Sequence, residues 1–217
     1  MNSQRLKKIA GLIKKDMVVA DIGTDHAFLP VYLIENRLAK KVYATDNKAG
    51  PLKQATASIH KAGLDEMIQT IQTEGLRGLP SDIDVIVIAG MGVDTIIDIL
   101  QKALPLLKQY QQIIVQPNNN VYLVRQWLSD QGFKITDEII LKDYKYYQII
   151  AFDPNAFQTY SASDIYLGPL LSRDKSPVFM EYYQDKLRKM QQLYQKYPQK
   201  PLTAEYRLLL EFFREVS

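Results

Sequence analysis

Five short apolar runs recur along the first half of the chain, at residues 17–22, 41–46, 67–73, 84–89 and 112–116. Several are β-branched, and several stop at an acidic or small residue. Between them the apolar positions switch to helical spacing. Leu29–Leu38 is one such stretch, and Pro51–Ala62 follows with Leu52, Ala55 and Ile59 on one face. Val93–Leu107 carries Ile96, Ile97 and Leu100, and Tyr122–Gln131 carries Val124, Trp127 and Leu128. Strands alternating with helices predict an α/β fold, a parallel sheet with helices on both faces. The unbroken run VIVIAG suits an interior strand covered on both sides.

After Gly132 the rhythm changes. FKITDEIILKD and KYYQIIAFDP are two strand-like runs joined by a short polar turn, which predicts an antiparallel hairpin closing the sheet edge. The stretch Asp153–Ser163 is polar and contains proline, and beyond it no strand pattern remains. Pro177 opens a helical run through Tyr197, with Phe179, Tyr183, Leu187, Met190 and Tyr194 close to one stripe. PQKP breaks the chain, and Thr203 can cap a last helix whose apolar face is Tyr206, Leu209, Leu210 and Phe213. Two helices around a proline-rich turn predict a hairpin appendage rather than a further layer on the sheet. The expected division is a ligand-binding domain over residues 1–160 and a helical, coiled-coil-like domain over 161–217. At the start, Leu6, Ile9, Ala10 and Ile13 share one face of an amphipathic cap helix whose other faces carry Arg5, Lys7, Lys8, Lys14 and Lys15. That basic rim could also contact phosphates.

Composition narrows the chemistry. The chain has 217 residues, enough to bury a substantial core without staples. It contains no cysteine, which excludes disulfides, thiolate metal sites and cysteine nucleophiles and is compatible with the expected reducing cytoplasm. His26 and His60 are its two histidines, so a histidine-rich metal site is excluded and no metal is expected. No apolar run approaches the roughly 20 residues that span a bilayer, and the first residues lack the apolar core of a secretory signal. The formal net charge of +3 adds little about partners.

VVADIGTDHAFLP puts a strand end at Asp21, a turn through Ile22 and Gly23 followed by Thr24, and a helix from near Leu29. Such a turn at the carboxyl end of a strand is where α/β sheets bind ligands. A dinucleotide fingerprint needs three spaced glycines whose amides cradle pyrophosphate. Here Gly23 stands alone, bracketed by Asp21 and Asp25. Two carboxylates would repel pyrophosphate and suit a ligand that is cationic and rich in hydroxyl and amino groups. S-adenosylmethionine, with its sulfonium, ammonium and ribose, fits that description better than a nicotinamide dinucleotide. In VYATDNKAGPL the second strand ends at Asp46, followed by Asn47, and an acid there can accept both ribose hydroxyls. A turn aspartate is the alternative. Glu74 and Gly75 follow the third strand, where an adenine edge is usually held. The fourth ends in Ala89, Gly90, Met91 and Gly92, and the small residues among them allow close backbone approach to a cofactor.

The fourth strand lacks the Asn/Asp-Pro-Pro-aromatic signature of enzymes that methylate exocyclic amino groups of bases. The fifth ends in Gln116, Pro117 and Asn118, read as a polar lip of a target-base pocket or as a turn and helix cap. Together DIGTDHAFLP, ATD, IAGMG and QPN with its V-x-x-x-W-L helix resemble the bacterial TrmK family, tRNA (adenine-22-N1)-methyltransferases. The resemblance covers essentially the whole chain. The chain departs from it at Val93, where the family usually has a second glycine after AGMG. It implies a class I methyltransferase sheet, a Rossmann-like fold, that binds S-adenosylmethionine, and a helical pair that binds tRNA. On this reading Asp25 is the catalytic helper, with His26 orienting it or contacting the base. The competing readings are a small-molecule methyltransferase, which would not need the appendage, and a catalytically silent RNA-binding protein, which would not need the acids at the strand ends.

Overall fold

The computed structural model describes residues 3–216, so residues 1, 2 and 217 of the expected domain ranges lie outside it. Its centre is a seven-stranded sheet. The strands are β1 (Met17–Ile22), β2 (Ala39–Asp46), β3 (Ile68–Gln72), β4 (Val85–Met91), β5 (Gln112–Pro117), β6 (Phe133–Lys142) and β7 (Tyr146–Phe157). Their order is β3-β2-β1-β4-β5-β7-β6. β1 to β5 pair in parallel, and β7 joins β5 and β6 antiparallel. The expected sheet and terminal hairpin are both present.

Alternation along the strands divides the core in two. Val18, Ala20 and Ile22 of β1, with Ile86 and Ile88 of β4, face one helical layer. Val19, Val85 and Val87 face the other. Both sides of these strands are therefore dry, which is why their sequence is continuously apolar rather than alternating. The layers are built from α1 (Gln4–Leu12), α2 (Phe28–Glu35), α3 (Ala49–Lys61), α4 (Val93–Lys102) and α5 (Val121–Gln131). α1 presents Ile9 and Ala10 to the core, as its apolar stripe predicts.

Three element boundaries differ from expectation. α4 stops at Lys102 rather than Leu107, and the chain continues as a 3-10 turn over Leu104–Gln109. Pro105 lacks an N–H and disfavours helical geometry at the residue before it. α2 stops at Glu35 rather than Leu38 because Arg37 adopts φ 54° and Leu38 N–H returns to the Leu33 carbonyl at 2.8 Å, a Schellman ending. β7 runs on to Phe157 through the polar stretch that begins at Asp153; Asn155 there donates to the Tyr110 carbonyl at 3.0 Å.

The chain after β7 forms α6 (Ala162–Leu167), α7 (Leu171–Asp174), α8 (Pro177–Lys196) and α9 (Ala204–Glu215). The expected long helices are α8 and α9, and Thr203 caps α9 by accepting from Tyr206 N–H. α6 and α7 were not expected, although Ser161 and Asp164 make a full capping box. These helices share a third apolar cluster with the sheet, in which Ile140 of β6 packs with Leu167, Phe179, Leu209 and Phe212. Beneath it Arg125 of α5 and Glu138 of β6 form a fully buried ion pair. The other Glu138 oxygen accepts from Leu170 N–H at 2.9 Å.

Candidate functional site

The carboxyl ends of β1 to β5 open on one edge of the sheet, and two cavities lie along it. The first has a volume of about 300 Å³ and is walled by Gly23, Asp46, Asn47, Glu74, Gly75 and Met91, together with Ile22, Thr95, Asp98 and Ile99. Six residues singled out from the sequence thus meet in one space. Gly23 is required twice over. Its φ of +79° suits glycine, and a Cβ there would collide with the Met91 methyl. Its N–H and that of Thr24 both donate to the Thr45 carbonyl, at 2.8 and 2.7 Å, which locks the β1 turn onto β2. Gly75, at φ +61°, packs its open side toward Ile99.

Asp46 ends β2 half-buried at the cavity wall. One of its oxygens accepts from Lys48 N–H at 2.8 Å, so the turn role and a ligand-facing role coexist in one side chain. Glu74 and Asp98 add two more carboxylates, and Lys102 bridges them at 3.6 and 2.8 Å. Ile22, Met91 and Ile99 provide apolar surface. Lys48 also lines the cavity, so the wall holds three carboxylates against one cation. This net negative wall beside an apolar one fits a purine nucleoside with a cationic tail better than a pyrophosphate. The residues present therefore suit S-adenosylmethionine.

Asp21 and Thr24 are buried behind this wall rather than in it. Burial pushes the Asp21 carboxyl up to about 6, against the opposing effects of a Thr24 hydrogen bond and the Arg5 charge. Ala89 and Gly90 also lie outside the wall. The open side of Gly90 faces the Arg5 guanidinium, where a Cβ would lie 3.1 Å from it. Arg5 is the residue that sequence reasoning missed. Its spacing puts it with Lys7 and Lys8 on the basic rim of α1, but it reaches across the strand ends, donates to Gln116 and lies 5.4 Å over the Tyr147 ring. No local signal separates it from Lys7 and Lys8.

Asp25 and His26 lie in the turn between β1 and α2, and line neither cavity. Asp25 is not the cap of that helix. The N-cap position is Ala27, in left-handed geometry at φ 52° and without a side-chain bond. The Asp25 side chain is 72% exposed, 3.5 Å from His26 Nε2. The His26 ring stacks on exposed Phe28 at 5.2 Å.

The β5 end has structural duties. Gln116 is fully buried, accepts from Arg5 and donates to the Pro117 carbonyl at 2.6 Å. Asn118 staples β5 to β4, with its N–H on the Met91 carbonyl at 2.8 Å and its amide on the Gly90 carbonyl at 2.6 Å. Asn119 accepts from Val93 N–H and so closes the first turn of α4. Pro117 and Asn118 line the second cavity, on the β7 side of this staple. No cluster of metal-ligating residues is found among the described residues. None of the helices described is long and apolar enough to cross a membrane.

Comparison with known proteins gives the family and the fold. The profile of the TrmK family, tRNA (adenine(22)-N(1))-methyltransferase, matches residues 19–217. The tRNA (adenine(22)-N(1))-methyltransferase of Bacillus subtilis is 33% identical over 204 residues, 91% of this chain and 86% of the relative. Streptococcus pneumoniae Sp1610 has the same fold, with a TM-score of 0.88 at 33% identity over 100% of this chain and 98% of that one. Its structure in complex with S-adenosyl-L-methionine superposes with a TM-score of 0.85 over the same shares of the two chains. M. capricolum TrmK in complex with S-adenosyl-homocysteine is 28% identical, with a TM-score of 0.81 over 100% of this chain and 95% of that one.

Proposed function

The chain belongs to the TrmK family of tRNA (adenine(22)-N(1))-methyltransferases, and we propose that its strand-end cleft divides the reaction between an acidic cofactor cavity and an RNA-facing mouth at Asp25. It is an S-adenosylmethionine-dependent enzyme that methylates N1 of an adenine in tRNA. The observation that carries the residue assignment is the convergence of Gly23, Asp46, Glu74 and Met91 on one cavity with an acidic wall.

Asp46 would hold the ribose hydroxyls, and Ile22, Ile99 and Gly75 would supply the apolar surface for the adenine. Gly23 and Met91 pass the methionine portion across the β1 turn. Arg5, beside Gly90, would supply a cation toward its carboxylate, and buried Asp21 would attract the ammonium. Bound there, S-adenosylmethionine supplies an electrophilic methyl group. The target N1 already carries an in-plane lone pair, so no residue has to remove a proton to expose it. The protein positions and desolvates the base, which must leave its pair because N1 lies on the pairing edge. Asp25 accepts a hydrogen bond from the exocyclic N6 amino group and stabilises the positive charge the base acquires. His26 holds Asp25, and Phe28 offers the base a stacking surface. The helices after residue 160 and the basic rim of α1 hold the tRNA backbone, and the cytoplasm is where that substrate resides.

The test is incubation of the protein with labelled S-adenosylmethionine and total bacterial tRNA, followed by nucleoside mass spectrometry and primer extension. N1-methyladenosine with a single stop in the D-arm is expected. Methyl transfer to small molecules alone would overturn the assignment.

A further inference from the structure

The second cavity on the strand edge, about 260 Å³ in volume, has the opposite chemistry to the first. It lies between the β5–α5 loop and the helices after residue 160. Its wall carries no carboxylate and one cation. Tyr122, Tyr166 and Tyr182 supply aromatic faces, and Asn118 and Gln148 supply amides. Lys186 of α8 closes one side with its Nζ 5.2 Å from the Tyr182 ring and 5.3 Å from that of Tyr166. Lys186 has no ion-pair partner among the described residues.

The shape of this wall is held from beneath. Gln148 accepts from buried Arg125 at 2.7 Å, and Tyr183 donates from its hydroxyl to the Tyr166 carbonyl at 2.9 Å. The faces that remain suit a flat ring with a polar edge and an attached anion. That is one nucleotide of an RNA strand.

We propose that this cavity receives an unstacked nucleotide of the substrate RNA other than the methyl acceptor, with its base on the tyrosines and its phosphate at Lys186. The inference rests on the tRNA-methyltransferase reading. The two cavities share no wall residue, and the Asn118 staple onto Gly90 and Met91 stands between them. A base seated on the β7 side is therefore screened from the cofactor cavity. Extracting the acceptor adenine from its helix leaves a neighbour without a stacking partner, and the tyrosine cavity offers a replacement at the moment the stack is broken. Recognition of the acceptor and of its surroundings then belongs to different sites on one edge.

The experiment uses the full chain saturated with S-adenosylhomocysteine, so that the adenosyl site is filled, and titrates adenosine 5′-monophosphate by NMR. Wild type, Tyr182→Leu and Lys186→Met are compared, and the same proteins are assayed for tRNA methylation. Tyr182 and Lys186 are half-exposed, and thermal melts check that each variant folds. The nucleotide should bind wild type and bind Lys186→Met at least several-fold more weakly. Both variants should raise KM for tRNA roughly tenfold, with kcat and S-adenosylmethionine affinity unchanged. Unchanged KM in both variants, or nucleotide binding indifferent to both, overturns the subsite while wild-type methylation stands. Wild type that methylates no tRNA overturns the parent reading and the subsite with it.

Discussion

Glu138 accepts from Arg125 Nε at 2.6 Å with both side chains fully buried. It is the joint between the sheet and everything that follows it, because its second oxygen holds the Leu170 N–H and the carbonyl of Tyr166 just before is held by Tyr183. A Cβ on Gly168 would lie 2.8 Å from the Arg125 guanidinium, so the turn at φ +98° has room only for glycine. Glu138→Gln leaves a buried cation without its counter-charge and should cost about 3–5 kcal/mol of stability. A double replacement, Arg125→Met with Glu138→Leu, should lie closer to wild type because it removes both desolvated charges. Urea titration of the two proteins checks this; equal loss in both would show that packing rather than charge dominates the joint.

The contact of the Met91 methyl with Gly23 sets the second prediction. Gly23→Ala should lower S-adenosylmethionine affinity at least tenfold, about 1.4 kcal/mol. Two costs contribute, a positive φ that alanine resists and a collision with Met91. Adding Met91→Ala removes the second and not the first, so calorimetry on the double variant should show partial recovery. Full recovery would mean that backbone strain plays no part.

Much of the fold was legible because its signals are local. The VIVIAG run and the acids at the ends of β1 and β2 declare interior strands and a ligand edge before any tertiary contact is known. What was not legible depends on distance in space. Arg5 looks like any lysine-rich helix face until α1 is docked on α2, β6 and β7, from where its guanidinium reaches Gln116 and Gly90 at the ends of β5 and β4. Arg125 sits in a helix whose spacing says only that one face is apolar, and its partner Glu138 looks like an outward-facing residue of an edge strand. The left-handed residue that ends α2 is Arg37 rather than glycine, so no composition cue marked it. Ser161 and Asp164 did carry a capping signal, which the polar run around them obscured.

Asp21 makes the chemistry pH-dependent in a stated direction. Its folded carboxyl titrates at about 6, above the ordinary value of 3.8. The folded protein therefore prefers the protonated form. The destabilisation is absent below the unfolded value, grows between it and about 6, and is complete above that. Asp21→Asn should therefore raise stability at pH 7.5, by about 3 kcal/mol, and change little at pH 3.5. Binding of a cationic ligand favours the charged form, so S-adenosylmethionine affinity should fall as pH drops through 6 in wild type and stay flat in the variant. Calorimetry from pH 5 to 8 reads both. A wild-type affinity independent of pH would remove Asp21 from cofactor recognition.

Asp25 carries the catalytic prediction because the structure leaves it without a structural task. Ala27 occupies the cap position of α2, and among the described residues the side-chain partner of Asp25 is His26 at 3.5 Å. A carboxylate so exposed gains little from its neighbour in the free protein. On the proposed mechanism it becomes effective when RNA covers it and water leaves, because a hydrogen bond to N6 would then strengthen as the base becomes cationic. Asp25→Asn keeps the shape and loses the charge, so kcat should fall roughly 10- to 100-fold with KM for tRNA nearly unchanged. His26→Ala should give a smaller fall, since it removes the group that orients Asp25 and its stacking on Phe28 but leaves the carboxylate. Steady-state kinetics with tRNA, together with nucleoside mass spectrometry, separates the outcomes. Full turnover in Asp25→Asn would remove the helper role while leaving N1 as the target. N6-methyladenosine as the primary product would instead contradict the chemistry of the site, because an amino-group acceptor must shed a proton that N1 does not carry.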